Sequence, residues 1–244
     1  MFYPSLLLVA FPGLAFQAAV PPQPVSPLPV SPEMRCDIMM ARKMYRDAVD
    51  CYKAVSDTSA VMANKTGIAY HQLADLANAR KYYERSIKLS PKYAEAINNL
   101  GTVYYAQKSY RRAVSQYRRA LALRPDFAPF LANLGTAYFA RKQYPQAAAT
   151  YAKALKIDPD VFERRDTQGT SVQDQSVEER AKYHYYVAKT YAQAGVHDRA
   201  IQYIRKALEE GFKDREKFLK EPEFMTLRED PEFKQLMAAE QKVL

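Results

Sequence analysis

Three histidines, two cysteines and a set of evenly spaced asparagines and aromatic residues are the side chains with chemistry to offer here. The histidines are His71, His184 and His197, and none stands in HExxH or another metal-ligand spacing. Seven glycines are too few and too scattered for a phosphate-cradling loop, and no GxSxG elbow occurs. The carboxylates show no calcium-loop spacing. With no paired acid and base and no activated nucleophile, the chain is not expected to be an enzyme, and neither cofactor nor metal is expected. What remains is recognition chemistry. An asparagine amide donates and accepts at once, so it can grip an extended peptide backbone. Tyrosine and phenylalanine can cover an apolar side chain.

These residues recur with a period. Gly67, Gly101 and Gly135 are 34 apart, as are Tyr70, Tyr104 and Tyr138. Ala79, Ala113 and Ala147 follow the same step, then Tyr83, Tyr117 and Tyr151, then Pro91, Pro125 and Pro159. A period of this length marks a stacked array of small units. In the central unit, 94–127, Ala96, Leu100, Val103 and Tyr104 form one helical stripe. Lys108-Ser109 marks a turn, and Tyr110, Ala113, Val114, Tyr117, Ala120 and Leu121 form a second stripe, closed near Pro125. Each unit is therefore read as two antiparallel helices. Small Gly101 and Ala113 stand where the helices approach, while Tyr104 and Tyr117 fill the gap to the neighbour.

The columns Leu100-Gly101-x-x-Tyr104, Ala113-x-x-x-Tyr117 and Pro125 resemble the tetratricopeptide repeat. Unit 128–161 matches with Leu134-Gly135, Tyr138, Ala147, Tyr151 and Pro159. Unit 60–93 matches with Gly67, Tyr70, Ala79, Tyr83 and Pro91, but has Thr66 where leucine is usual. The family tryptophan is replaced by Ala63, Ile97 and Leu131. The resemblance implies an all-α, right-handed superhelical array of antiparallel helix pairs, a tetratricopeptide solenoid. A degenerate first hairpin is expected over 34–59, and a fourth repeat-like hairpin over 181–212 arrives 19 residues late. Between them lies a polar insertion, 162–180, where Val161-Phe162 and Ser171-Val172 could pair as a small hairpin. Residues 213–244 repeat Glu221-Pro222-Glu223-Phe224-x-x-Leu227 as Asp230-Pro231-Glu232-Phe233-x-x-Leu236. Acid-Pro-Glu is a helix start, and the segment is similar to the end-of-group cap of many bacterial tetratricopeptide proteins. Arrays need such a cap over their last open face.

The resemblance also implies that the first helix of each hairpin lines a concave groove. That face would present Asn64, Ile68 and His71, then Asn98, Thr102 and Tyr105, then Ala132, Thr136 and Phe139, with Asn99 and Asn133 beside them. The candidate partner-binding set is Asn64, His71, Asn98, Asn99, Thr102, Tyr105, Asn133, Thr136 and Phe139. Two readings of the asparagines stand open: they grip a partner, or Asn99 and Asn133 tie adjacent helices together. For His71 the alternative is a plain polar surface residue. Some family members clamp a terminal carboxylate with two lysines, an arginine and asparagines. Only Asn99 keeps that pattern, so such a clamp is not expected.

The net charge is +9, and 94–127 carries +4 while 208–244 carries −3. Arg111 and Arg118, like Arg112 and Arg119, are seven apart and share a helix face. They form a candidate ridge for an acidic partner. Nucleic acid is disfavoured, because Tyr110 and Tyr117 belong to the repeat core and are not free to stack on bases.

Residues 1–20 are uncharged, and Leu6–Phe11 resembles a signal-peptide core with small residues at Gly13-Leu14-Ala15. No lysine or arginine precedes Arg35. The Pro-rich stretch 21–33 reads as an extended tether. Export to a periplasmic or envelope location is expected, the alternative being the cytoplasm. Export would permit a Cys36–Cys51 disulfide, with two buried free thiols as the alternative. The function expected is a protein-interaction scaffold holding an extended or helical partner segment in the groove. Two alternatives are a structural component of an envelope complex using the basic convex ridge, and a cytoplasmic nucleic-acid adaptor. Any membrane contact would be peripheral.

Overall fold

The computed structural model describes residues 30–55, 58–163 and 176–239. The signal-peptide segment, nearly all of the tether and most of the insertion, including its Ser171-Val172 pairing, lie outside them. From residue 32 onward the apolar stripes become helices that pack in consecutive antiparallel pairs. The first pair is α1 (Pro32–Ala41) with α2 (Tyr45–Val55), and the second is α3 (Ala60–Gln72) with α4 (Leu76–Leu89). Next come α5 (Ala94–Ala106) with α6 (Tyr110–Leu123), and α7 (Ala128–Ala140) with α8 (Tyr144–Ile157). The fifth pair is α9 (Val177–Gln193) with α10 (His197–Glu209). Pro32 and Glu33, assigned to the tether by composition, open α1 instead. Proline fits a first helical turn, and an acidic residue there favours the helix dipole.

The two helices of a pair have different surroundings. α6 buries Ala113, Val114, Tyr117 and Ala120, a single stripe, and leaves its arginine face to solvent. α5 buries ten of its thirteen residues, because α3, α4, α6 and α7 all pack on it. First helices touch one another from pair to pair, α3 with α5 and α5 with α7. They form the tight inner layer of the solenoid, and the second helices form the outer one.

Glycine is required where the helices of a pair meet. A Cβ on Gly67, Gly101 or Gly135 would lie 2.6, 2.6 or 2.4 Å from the ring of Tyr83, Tyr117 or Tyr151, sixteen residues on. Each ring is buried against the backbone of its own first helix. Tyr117 therefore packs within its pair, and it also joins the apolar cluster that holds Leu131 and Leu134 of the next. The fifth pair has Ala188 and Ile204 at these two positions, both fully buried, a larger and a smaller residue exchanged together. In the first pair the glycine position is Cys36, which is bonded to Cys51, with Tyr52 beside it. That disulfide joins α1 to α2 across a Cα–Cα distance of 5.4 Å.

All five turns close alike. Lys43, Ala74, Lys108, Lys142 and Gly195 take φ between 56° and 73°. In each, the amide of that residue donates to a carbonyl three residues back, and the next amide to one five back, as in Ser109 to Tyr104.

The array ends in a cap. α11 (Glu216–Lys220), a 3-10 helix (Pro222–Leu227) and α12 (Pro231–Ala238) bury Phe218, Phe224, Leu227 and Phe233, while Leu236 is half-buried. Asp230 caps α12 through the amides of Glu232 and Phe233. The matching start at Glu221-Pro222 yields 3-10 rather than α structure. The Glu221 carboxylate is taken by the Tyr185 hydroxyl and Lys189 instead of its own amides.

Candidate functional site

The inner layer carries a chain of asparagines. Asn133 Nδ2 donates to Asn98 Oδ1 at 3.1 Å, and one period earlier Asn99 Nδ2 donates to Asn64 Oδ1 at 3.0 Å. Asn98 Nδ2 donates to Asn99 Oδ1 at 3.3 Å and joins the two links. Asn64 Nδ2 ends the run on the Tyr93 hydroxyl at 3.5 Å. All four asparagines are buried. In the two links between pairs the donor stands two residues before the glycine of its helix, and the acceptor three before. At the first boundary these positions hold Lys65 and Glu33, and Lys65 Nζ donates to Glu33 at 2.8 Å and to Asp37 at 2.7 Å. A charged link thus continues the amide ladder, so the first helices of four pairs are tied edge to edge. The Lys65 and Tyr52 hydrogen bonds outweigh desolvation at Asp37 and hold its carboxyl below the usual range.

Asn99 and Asn133 each donate to an asparagine of the adjacent first helix. The other candidates are engaged inside the layer too. Thr102 Oγ1 donates to the Asn99 carbonyl at 2.7 Å, and Thr136 Oγ1 to the Ala132 carbonyl at 3.0 Å. Tyr105 lies 5.2 Å from the Tyr110 ring, and Phe139 packs on Tyr144, Tyr183 and Tyr186. Eight of the nine candidate groove residues are buried, and His71 is half-buried. Burial holds the His71 imidazole below its usual range, so it is neutral at neutral pH. The inner-layer side chains that retain some exposure include Ile68 on α3 and Pro129 and Ala132 on α7. Ala132 occupies the column of Asn64 and Asn98.

The four ridge arginines divide. Arg118 Nε donates to the Tyr138 hydroxyl at 2.9 Å, and Arg119 to the Pro91 carbonyl at 3.2 Å, each reaching a neighbouring repeat. Arg111 and Arg112 instead line a cleft with Lys108, Ser109, Tyr110 and Arg141. Sequence periodicity placed the four on one face but had no means to join Arg141, a turn residue of the next pair, to them. Among the described residues no group of three metal-ligating side chains is positioned to hold an ion. No described helix is long and apolar enough to cross a membrane.

The tetratricopeptide repeat family matches residues 98–161 and, in a second form, residues 60–126. No curated protein matches the chain. Among solved structures, one of MamA is 22% identical over 73% of this chain and 95% of its own, with a TM-score of 0.50. MamA from Desulfovibrio magneticus RS-1, residues 41 to the end, is 20% identical over 75% and 94%, at 0.51. The Cut9 and Hcn1 hetero-tetramer of the APC/C is 19% identical over 75% of this chain and 34% of the matched chain, at 0.54. At such identities the likeness is one of fold.

Proposed function

The chain is a tetratricopeptide-repeat protein, and on that premise we propose that it is a non-catalytic scaffold for another protein. An extended or helical partner segment lies along the inner layer formed by α3, α5 and α7. The observation that carries this reading is the ladder from Glu33 through Lys65, Asn64, Asn99 and Asn98 to Asn133. It fixes the spacing of the first helices before a partner arrives, and a preorganised face loses little ordering entropy on binding. The asparagines then position the surface, and half-exposed Ile68, His71, Pro129 and Ala132 contact the partner. The similarity of fold to Cut9, solved in a hetero-tetramer with Hcn1, supports a protein as the partner. The test is Ile68→Arg with Ala132→Arg. Partner co-purification is expected to fall while helicity and melting are kept, and retained co-purification would overturn the reading.

The reading extends to an exported protein, which the Cys36–Cys51 disulfide supports, since such bonds persist in oxidising compartments. Fractionated cells treated with a thiol-alkylating reagent should yield the protein outside the cytosol and unmodified. A cytosolic, doubly alkylated chain would reverse this part.

A further inference from the structure

We infer that the cleft between the turns of the third and fourth pairs is a docking site for an acidic protein segment, separate from the inner layer. The cleft has a volume of about 550 Å³ and is lined by Lys108, Ser109, Tyr110, Arg111, Arg112 and Arg141. Four of these six residues are cations, contributed by two consecutive pairs. Among the described residues none of the four is held in an ion pair, whereas Arg80, Arg124, Arg180, Arg199 and Arg205 each face a carboxylate. After burial, the Tyr110 hydroxyl is also acted on by one carboxylate, that of Glu179. That carboxylate accepts from the Ser176 amide in the capping box of α9.

The cleft also lies at the start of α6, where the Ser109 side chain makes no cap. The first amides of α6 and the positive end of its dipole therefore add to the field of the side chains. Clustered cations around a concavity focus that field and raise the local concentration of an anionic partner. Because the cations come from two pairs, a ligand with several carboxylates along an extended chain meets them better than one small ion. Arginine forks suit carboxylates in this role.

The same features argue against other anionic polymers. Tyr110 is half-buried and packed 5.2 Å from Tyr105, so the cleft has no free ring on which a base could stack. A bilayer surface is flat and would not enter a cleft. Arg118 and Arg119, on the same helix, are engaged with Tyr138 and Pro91. They supply a control of equal charge outside the cleft.

The test is fluorescence anisotropy of a fluorescein-labelled hexaglutamate peptide, with hexaglutamine as its neutral counterpart. Full-length protein is expected to bind only the acidic peptide, with an affinity that falls as salt rises. Arg112→Gln with Arg141→Gln should weaken binding about tenfold or more, while Arg118→Gln with Arg119→Gln should change it less than about twofold. Equal losses in the two pairs would reduce the effect to net charge and overturn the assignment. So would an absence of peptide binding. A six-nucleotide single strand, or anionic phospholipid vesicles, that bound more tightly than the peptide and lost binding in the Arg112/Arg141 variant would also overturn it. A failure of the inner-layer substitutions at Ile68 and Ala132 would leave these outcomes unaffected, so the two readings fail separately.

Discussion

Asn133 donates its amide to Asn98 at 3.1 Å across the boundary between two helical pairs, and both side chains are buried. Asn98→Ala removes the acceptor of Asn133 and the donor to Asn99 in one step. Buried polar groups left unpaired cost about 1–3 kcal/mol each, so a loss of at least that size is expected in urea unfolding. The Asn98→Ala, Asn133→Ala double variant should lose less than the sum of the singles, because both changes delete the same hydrogen bond. Full additivity would mean the two amides are not coupled.

Gly101 and Tyr117 test the packing within a pair. A Cβ at residue 101 would lie 2.6 Å from Tyr117 Cε1. Gly101→Ala should therefore destabilise by about 1–3 kcal/mol through overpacking, despite the better helix propensity of alanine. The fifth pair already uses the alternative, Ala188 with Ile204. Adding Tyr117→Ile to Gly101→Ala should accordingly recover part of the loss. A single variant as stable as the parent in chemical denaturation would contradict the contact.

The turns offer a gain. Lys108 and Lys142 hold φ of 56° and 58°, a region that costs a residue with a Cβ about 1–2 kcal/mol. Gly195 takes the equivalent position without that cost. Lys108→Gly and Lys142→Gly should each raise the melting temperature, by an amount corresponding to roughly 0.5–1 kcal/mol after the larger unfolded-state entropy of glycine. Lys108→Ala should be close to neutral. A melting temperature lowered by either glycine would show that the lysine side chains stabilise the turn.

These contrasts show which features the sequence made legible. The glycine and tyrosine columns were readable because one steric contact recurs every 34 residues. Cys36 in the glycine position was not, because it precedes Gly67 by only 31 residues and the column step is broken. Lys65 and Glu33 were hidden for another reason. They keep the ladder geometry while changing an amide pair into an ion pair, so no residue-type column connects them to Asn99 and Asn64. The exposure of the groove candidates was misjudged because a helix read alone has an inside and an outside. α5 has neighbours on nearly every side, and polar residues on it must pair with one another.

Two half-buried histidines impose a pH dependence. Burial lowers the pKa of His71, and burial also lowers that of His184 despite the opposing Glu210 carboxylate. An unfolded histidine titrates near 6.5. Well above that pH neither state binds these protons and stability is level. As pH falls through about 6.5, the unfolded chain takes up protons that the folded chain does not, so stability declines. The melting temperature should drop between pH 7.5 and 5.5. His71→Gln with His184→Gln should flatten that drop, and an unchanged slope in the double variant would refute the assignment.

The interaction role is tested most directly by site-specific photocrosslinking in cells. A photoreactive residue is placed at His71 or Ala132 on the inner layer, and at Ser115 or Ala149 on exposed outer helices. One discrete protein crosslinked from both inner positions and from neither outer position is the expected result. Crosslinks from the outer positions alone, or none from His71 and Ala132, would contradict binding along the inner layer.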